Sequence, residues 1–421
     1  MEKGKKIKLV TFAPHPNFGT CLQSYALNKV LRDMGHDVEF IYNGRENPPK
    51  TIAYFMKAIV KWFLPKRMVK QIKAKRAEER SSLPDIPPYI LKLPNNYLRF
   101  WLSLIPGYER VYKQFKCRTL QWKKVYSFTF EDGNYKMKRL YVKKQYEEVT
   151  KDADLFITGS DQIWNPYCGG FNPMMFLEFA GNAKRIAYSS SIARPKFPKK
   201  VEQRAKEDLS KFQHIAVREQ SSVDMLNNLL GRNDVQLVVD PTYLLSREEW
   251  EEFSNRANIE FELPETYIFC YFVGSDRKDD YEAMVEDVKN KIGIKDVITI
   301  ECYGRNFNYG DGFLYKDGGP YEFVYLLSHA SLICMDSFHA TVFALKFGIN
   351  FVHILKTKGE DNTASQNTRM FDLFSRYGLA YKLYDSSSTE WLKPVDYERV
   401  GKIVETDIQN SLKFLRREIE N

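Results

Sequence analysis

The sequence predicts an α/β fold with two Rossmann-like domains that face a cleft, the first of which carries a basic, mainly helical insertion. At 421 residues the chain is too long for one ordinary core, which indicates two domains. Strand-like apolar runs alternate with helical periodicity, a pattern typical of parallel sheets covered by helices. The strands fall into two sets, separated near Asp240-Pro241, where proline restrains the backbone.

The first domain, residues 1–240, opens with a complete βαβ unit. A strand over 7–12 leads through a loop to a helix over about 20–34, and a second strand spans 37–42. Apolar residues on one face of that helix predict that it is buried against the sheet, and Gly35 ends it. Further strands of this domain are predicted at 154–158, 185–189, 214–218 and 235–239.

The second domain, residues 241–421, repeats this alternation. Its strands are predicted at 267–272, 297–301, 332–335 and 351–355. A final helix over 395–420 is expected to pack back across the domain junction. Two Rossmann-like domains facing one cleft form the architecture of GT-B glycosyltransferases, so the fold is predicted to be GT-B-like. Ligands of such sheets bind beyond the carboxyl ends of the strands.

The net charge of +9 is concentrated in the insertion of the first domain, which covers about residues 50–130. Residues 50–124 hold 18 Lys/Arg against 4 Asp/Glu. Aromatic and apolar residues alternate with the basic ones over 54–64, which fits either contact with an anionic membrane surface or an ordinary helical insertion with solvated lysines. Because no DNA- or RNA-binding module accompanies the charge, nucleic acid is not an expected partner.

The cysteines and the N-terminus indicate a reducing compartment. The six cysteines form no CxxC pair and have no histidine at metal-ligand spacing, so neither a zinc site nor a disulfide framework is expected. No other metal-ligand set is evident, and no metal and no cofactor are expected. The first residues run directly into a strand-like segment, without the apolar core of a signal peptide. No apolar run reaches the roughly 18 residues that span a bilayer. We therefore expect a cytoplasmic protein, soluble or peripheral at the inner face of the membrane.

The first candidate motif is Gly159-Ser160-Asp161-Gln162-Ile163-Trp164-Asn165-Pro166, which follows a predicted buried strand. Gly159 lets the chain turn sharply, Ser160 and nearby amides suit an anion, and Asp161 suits a proton from a sugar hydroxyl. The alternative is a buried turn in which Asp161 and Asn165 satisfy backbone amides.

The second candidate motif, Asp336-Ser337-Phe338-His339, follows the strand at 332–335 and precedes a helix. His339 near a helix N-terminus suits a proton donor or an anion partner, although a lone histidine is more often structural. Arg218, at a strand end, could form a fork to a carboxylate or phosphate, or a salt bridge with Glu219 or another acid. Arg369 has the same two interpretations.

The first strand-to-helix loop contains His15 and Asn17, which are expected to contact substrate because of their place at a strand end. Gly19 follows without the full GxGxxG fingerprint, so nicotinamide chemistry is disfavoured.

Several segments together resemble the polysaccharide pyruvyltransferase family in order and spacing over nearly the whole chain, with residues 50–130 covered least. They are Asn17-Phe18-Gly19, residues 22–27, residues 159–166, Val217-Arg218-Glu219, Asp240-Pro241-Thr242 and Asp336-Ser337-Phe338-His339. The resemblance implies a GT-B-like enzyme that moves a pyruvyl group from phosphoenolpyruvate to a sugar. The product is often a ketal across two hydroxyls of a hexose in a surface or capsular polysaccharide precursor. We expect a lipid-linked oligosaccharide as the acceptor.

The resemblance also implies roles for single residues. His339 would be the acid or phosphate partner and Asp161 the base or acceptor-orienting group. The residues expected to bind the donor are Arg218, Ser337, Phe338, Arg369, Ser160 and Gly159. The residues expected to bind the acceptor are His15, Asn17, Gln162, Trp164 and Asn165.

One departure from the family pattern concerns the second motif. Many members have Arg-Leu-His where this chain has Ser337-Phe338-His339. The arginine expected to hold phosphoenolpyruvate is therefore missing, and Arg218, Arg369 or a lysine is expected to supply its charge. Two other functions stay open at this point, a GT-B glycosyltransferase that uses a nucleotide sugar and a non-catalytic membrane-surface scaffold in glycan assembly.

Overall fold

The computed structural model covers the chain in ten described stretches. These are residues 4–12, 17–42, 97–108, 113, 117, 119–167, 171–274, 277–302, 307–357 and 367–421. Most of the basic insertion, together with His15, therefore lies outside the described residues.

The first domain contains a seven-stranded parallel sheet. Its strands are β1 (Lys6–Val10), β2 (Asp37–Tyr42), β3 (Met137–Arg139), β4 (Leu155–Thr158), β5 (Lys184–Ser190), β6 (His214–Val217) and β7 (Gln236–Leu237). Its helices are α1 (Phe18–Asp33), α2 (Tyr97–Ser103), α3 (Leu120–Phe130), α4 (Lys143–Lys151), α5 (Lys199–Leu209) and α6 (Gln220–Leu230). The strand order is β3-β2-β1-β4-β5-β6-β7, which extends the doubly wound Rossmann order by one strand.

The second domain contains a five-stranded parallel sheet. Helix α7 (Arg247–Ser254) precedes its strands β8 (Ile268–Tyr271), β9 (Val297–Ile300), β10 (Phe313–Tyr315), β11 (Leu332–Met335) and β12 (Phe351–His353). The remaining helices are α8 (Lys278–Ile292), α9 (Pro320–Ser328), α10 (Phe338–Phe347), α11 (Thr368–Tyr377) and α12 (Tyr397–Glu420). The order β10-β9-β8-β11-β12 is again doubly wound, so the predicted fold class of two Rossmann-like domains is confirmed.

The strands that the sequence predicts are present, with ends that differ by one or two residues. Two strands were not predicted, β3 and β10, and each is a three-residue strand at the edge of its sheet. A strand this short shows too little alternation to stand out in a sequence. The central strands are easy to recognise because parallel strands are covered on both faces and read as continuous apolar runs, as in Leu155-Phe156-Ile157.

Helix α1 lies at the junction of the two domains. Most of its side chains are buried, including polar ones such as Gln23 and Asn28. Its first residue, Phe18, stacks against Phe323 of α9 with ring centroids 5.3 Å apart and lies 6.0 Å from the ring of Tyr271 in β8. The first turn of α1 is thus held by side chains of the second domain.

The last helix, α12, contacts the first domain again. Ser411 Oγ accepts a hydrogen bond of 2.9 Å from the backbone amide of Val239, just after β7. Glu418 Oε2 lies 2.9 Å from Nδ1 of His214 in β6. None of the helices in the described ranges is both long and apolar enough to cross a membrane.

Candidate active site

Polar side chains from both domains meet where several parallel strands end. Ser160 and Asp161 follow β4, Arg218 follows β6, and Asp240 lies beyond β7. His339 enters from the second domain, in the first turn of α10 after β11. The predicted location beyond the carboxyl ends of strands therefore brings residues of both motifs into contact.

Arg218 is the centre of this cluster. Its Nη1 donates to Oδ2 of Asp240 over 2.6 Å, its Nη2 to Oδ1 of Asp161 over 3.2 Å, and its Nε to Oε1 of Glu219 over 3.2 Å. The side chain is 1% exposed. A guanidinium this deeply buried needs ionic partners, because its desolvation is costly. The salt-bridge interpretation of Arg218 is thus confirmed, with three acids rather than one.

The conformation of the loop after β4 points the side chain of Asp161 toward Arg218 and Thr20. Gly159 has a φ of +114°, and a Cβ atom there would lie 2.1 Å from the carbonyl oxygen of Tyr188, so only glycine fits. Thr20 in α1 donates to Oδ2 of Asp161 over 2.9 Å. Burial would raise the pKa of Asp161, but the positive charges of Arg218, His339 and Arg369 outweigh it and lower that pKa. An ionised carboxylate with both oxygens engaged is a weak proton acceptor.

Asp240 belongs to the site although the sequence suggested it only as part of the family pattern and as a domain boundary. Its Oδ2 accepts hydrogen bonds from Arg218 and from Ser160 Oγ, the latter over 3.0 Å, and lies 3.4 Å from Nε2 of His339. Thr242 donates to Oδ1 through both its amide and its hydroxyl. Burial would raise the pKa of Asp240, but the positive charges of His339 and Arg218 hold it well below its ordinary value.

The signal that could have identified Asp240 is its position. It follows a predicted strand in the first domain, as Asp161 does, and both carboxylates converge on Arg218.

His339 is held between the two domains. Its Nε2 lies 3.4 Å from Asp240 and 3.5 Å from Nη1 of Arg218. On the other side, a Cβ atom added to Gly19 of α1 would lie 2.3 Å from Nδ1 of His339. Ser337 caps α10, since its Oγ accepts from the amide of Ala340 over 3.4 Å. The imidazole therefore sits at a helix N-terminus with little freedom to move.

Two guanidinium groups flank the ring of Phe338. The Cζ atom of Arg218 lies 4.5 Å from the ring centroid, and that of Arg369, in the first turn of α11, lies 5.6 Å from it. The sequence offered Arg218, Arg369 or a lysine to replace the missing family arginine. The structure brings both arginines to the position next to Ser337-Phe338-His339.

The prediction that Trp164 and Asn165 contact the acceptor is wrong. Both residues are fully buried, and Trp164 packs in the core of the first domain with its Nε1 donating to the carbonyl of Met175 over 3.2 Å. Asn165 donates to Oε1 of Gln162 over 2.7 Å and accepts from the amide of Tyr167. A buried ring offers no face to a sugar, and Asn165 closes the loop as the structural alternative predicted.

Asp336, the first residue of the second motif, is also structural. Its carboxylate accepts from the amides of Val273 and Gly274 and from the hydroxyl of Tyr281, at 2.6 to 2.7 Å. Of the two predicted residues in the first loop, Asn17 is half-buried and precedes α1, while His15 lies outside the described residues.

The cluster contains carboxylates and basic side chains that are almost completely buried. Asp161, Glu219 and Asp240 supply carboxylates, and Arg218, Arg369 and His339 supply cationic or protonatable nitrogen. Burial raises the pKa of Glu219 even though Arg218 lowers it. Such groups can hold an anion and move a proton, because low dielectric strengthens every charge interaction.

A cavity of about 410 Å³ adjoins this cluster between the domains. Arg218, Asp240 and Phe338 form part of its wall. The cavity provides space for a ligand next to the buried charges. In the described part of the chain no group of three or more His, Cys, Asp or Glu side chains is arranged to hold a metal ion.

Comparison with solved structures gives similar chains at low identity. UDP-GlcNAc 2-epimerase from Neisseria meningitidis, bound to UDP-GlcNAc, has a TM-score of 0.47 at 10% identity, with 99% of this chain and 100% of that chain covered. A putative UDP-N-acetylglucosamine 2-epimerase from Listeria monocytogenes has a TM-score of 0.46 at 11% identity, covering 97% and 90%. A glycosyltransferase from Rickettsia africae has a TM-score of 0.44 at 10% identity, covering 99% of each chain.

Comparison with curated proteins gives no significant match. A family model, however, matches residues 17–355, which is most of the chain and includes every residue of the cluster except Arg369. The model describes polysaccharide pyruvyl transferases. Both candidate motifs, the arginine between them and Asp240 lie within the match, so the resemblance suggested by those residues is confirmed. The chain belongs to the polysaccharide pyruvyl transferase family.

Proposed function

We propose that this protein transfers the pyruvyl group of phosphoenolpyruvate to two hydroxyls of a hexose, forming a ketal on a surface or capsular polysaccharide precursor that is lipid-linked. The observation that carries the proposal is the convergence of Arg218, Arg369 and His339 on Phe338, at the N-terminus of α10. Two guanidiniums and a helix N-terminus together suit a small ligand with several negative charges, such as phosphoenolpyruvate.

In this proposal the donor lies against Phe338, with Arg369 and the amides of the first turn of α10 facing its phosphate or carboxylate. Arg218 is held by three acids, Asp161, Glu219 and Asp240. We assign to Arg369, whose Cζ lies 5.6 Å from the ring centroid of Phe338, the part of the arginine that many family members have in the second motif.

The proposed reaction begins with proton transfer from His339 to the methylene carbon of phosphoenolpyruvate. The neighbouring carbon becomes cationic, and the first sugar hydroxyl adds to it and gives its proton to the imidazole of His339. The second hydroxyl then attacks the same carbon, the bond to the phosphate oxygen breaks, and inorganic phosphate leaves with the second proton. Of the two hydroxyl protons, one replaces the proton that His339 gave to the new methyl group, and the other leaves with the phosphate.

The acids have separate parts in this scheme. Asp240 faces His339 at 3.4 Å and stabilises the protonated imidazole. Both carboxylate oxygens of Asp161 accept hydrogen bonds, one from Arg218 and one from Thr20. We therefore propose that Asp161 positions Arg218 rather than accepting a proton. This assignment revises the role of base expected for Asp161.

The test is incubation of the protein with phosphoenolpyruvate and a panel of lipid-linked oligosaccharides, followed by mass spectrometry and phosphate measurement. Pyruvyl transfer adds the mass of pyruvate less water to the acceptor and releases one phosphate for each product molecule. A His339→Ala variant that keeps full phosphate release would contradict the role of His339.

Measurements of thermal stability and of membrane binding distinguish the two alternative functions. Thermal stabilisation by nucleotide sugars but not by phosphoenolpyruvate would favour a glycosyltransferase, because a ligand that binds only the folded state raises stability. Turnover of no donor, with membrane binding that survives His339 and Asp161 substitutions, would favour a scaffold.

A further inference from the structure

We propose that the cavity between α11, α12 and the cluster binds the acceptor sugar, an inference that rests on the proposed function for the identity of the reaction. Its wall contains Arg218, Asp240 and Phe338, so a ligand in it lies against the charged cluster. With Trp164 and Asn165 excluded as acceptor contacts, the cavity offers a place for a sugar next to Asp240, whose Oδ2 lies 3.4 Å from Nε2 of His339. Its volume of about 410 Å³ lies within the range of small-molecule sites.

The charges of the cavity favour a neutral ligand. Asp240 is paired with Arg218, and Asp407 is paired with Arg376 at 2.6 Å from Nε to Oδ2. Asp372 is the remaining carboxylate, and its hydrogen-bond donor is the neutral Ser221, whose Oγ lies 2.5 Å away. Apart from Arg218 and Asp240, the charged side chains of the wall are two carboxylates and one guanidinium. This excess of negative charge disfavours a polyanion in that part of the cavity, and the carboxylates can accept hydrogen bonds from sugar hydroxyls.

The outer end of the cavity combines amides with aromatic rings. Gln220 at the start of α6 and Asn410 in α12 line it and are exposed, so the cavity opens to solvent on that side. Tyr243 and Tyr377 form an aromatic part of the wall, with ring centroids 6.5 Å apart. Side-chain amides, a carboxylate and aromatic rings suit the hydroxyls and the apolar face of a hexose. A longer glycan could leave through the open end.

The experiment compares Asp372→Asn and Asn410→Ala with wild type. The control is Gln409→Ala, the neighbouring exposed amide of α12, which bonds Glu405 instead of lining the cavity. Saturation-transfer NMR with methyl glycosides of glucose, galactose and mannose measures sugar binding. Steady-state kinetics with an active acceptor measure both Michaelis constants. We expect the acceptor KM to rise about 10-fold or more in each cavity variant, because each variant loses one or two hydrogen bonds to the sugar. The KM for phosphoenolpyruvate should stay unchanged.

A rise in the KM for phosphoenolpyruvate alone would assign the cavity to the donor and overturn the proposal. The proposal would also be overturned if Asp372→Asn and Asn410→Ala both bound the glycosides as well as Gln409→Ala does. Glycoside binding that is lost in the cavity variants, while no pyruvyl transfer occurs with any acceptor, would keep the sugar site and remove the proposed reaction.

A second inference concerns α2 and the turn after it, and it is independent of the cavity. Tyr97, Trp101, Leu104 and Ile105 are 55 to 64% exposed, although large apolar side chains usually pack inward. Their spacing of four, three and one residues is that of one helical face, and hydrogen bonds from the amides of Leu104 and Ile105 continue the turn. The exposed residues form an apolar stripe.

We propose that this stripe binds the surface of an anionic phospholipid bilayer. It lies within residues 50–124, which hold 18 Lys/Arg against 4 Asp/Glu. Tyrosine and tryptophan prefer the boundary between headgroups and acyl chains, and nearby basic residues are attracted to anionic lipid. A protein partner would need no such excess of positive charge.

The test is sedimentation of the full chain with vesicles of phosphatidylcholine alone or mixed with phosphatidylglycerol. We expect binding to the mixed vesicles that weakens with salt and falls about 10-fold in Trp101→Ser or Ile105→Ser, since each removes 1.5 kcal/mol or so of apolar burial. The control is Phe313→Ser, an exposed aromatic of β10 in the second domain. Equal binding of all variants, or a wild-type dimer that Trp101→Ser converts to a monomer, would overturn the proposal.

Discussion

Asp240 and His339 come from different domains and meet at 3.4 Å, between Oδ2 and Nε2. The carboxylate is fully buried and the imidazole nearly so. Arg218 bonds the same oxygen of Asp240, so the ion pairs of the first domain hold the carboxylate to which the second domain brings His339. The complete cluster therefore needs both domains in place.

The buried ion pairs of Arg218 predict a large loss of stability on substitution. Arg218→Met leaves Asp161, Glu219 and Asp240 without their common partner, and we expect the free energy of unfolding to fall by about 3–5 kcal/mol. Chemical denaturation measures it. Arg247→Met, which removes an exposed pair with Glu251, should cost less than about 1 kcal/mol. Equal losses in the two variants would contradict the importance of burial.

The proposed acid role of His339 predicts a kinetic defect without unfolding. We expect His339→Gln to lower kcat for phosphate release by about 10²–10⁴-fold, because general acid catalysis contributes that much. The matched control is His329→Gln, at the end of α9, where the ring stacks on Tyr325 near the surface. A kcat for His339→Gln within twofold of that control would be incompatible with proton donation by His339.

The close contact of Gly19 with His339 predicts that one methyl group disturbs the site. A Cβ atom at residue 19 would lie 2.3 to 2.7 Å from three atoms of His339. We expect Gly19→Ala to lower kcat about 10²-fold, the scale of a 1 Å misplacement, and to cost about 1–3 kcal/mol of stability.

Gly401→Ala is the control for this substitution. Gly401 lies in α12, and no atom beyond its chain neighbours and the helix's own backbone lies within 4 Å of an added Cβ, so alanine there should leave kcat unchanged and raise stability by roughly 0.5–1 kcal/mol. A normal kcat in Gly19→Ala would mean that His339 can shift without losing its function.

His353 predicts a dependence of stability on pH. It is fully buried in β12, and burial together with the charge of Arg369 lowers its pKa to about 3, below the ordinary 6.5. The unfolded chain then binds a proton between these values that the folded chain does not. This term therefore makes stability rise with pH from about 3 to 6.5, by at most about 1.4 kcal/mol per pH unit.

We expect His353→Gln to show a shallower rise of unfolding free energy between pH 4 and 6.5 than wild type, a range inside the window set by the pKa of about 3. Denaturant titrations at several pH values measure the slope, with His329→Gln as the exposed control. Parallel slopes in wild type and His353→Gln would show that His353 does not contribute.

The fold class and the loops of the site could be predicted from the amino-acid sequence alone. Continuous apolar strands alternating with helical periodicity indicate parallel sheets that are covered by helices, so both sheets were predictable. Gly159, Asp161, Arg218 and His339 stand at strand ends, where parallel topology gathers functional groups. These features depend on local spacing, which a single chain displays directly.

Which of those residues meet depends on the tertiary structure. Asp240 and His339 are separated by almost a hundred positions, and they meet because α1 and α10 contact each other and the short turn Pro241–Tyr243 that follows Asp240. Packing within the first domain buries Trp164, and the docking of the two domains brings Arg369 together with Arg218 at the ring of Phe338. The orientation of side chains at a domain boundary and the distances between them depend on how the two domains pack. The pattern of residues along the chain does not determine that packing in a way that can be read directly.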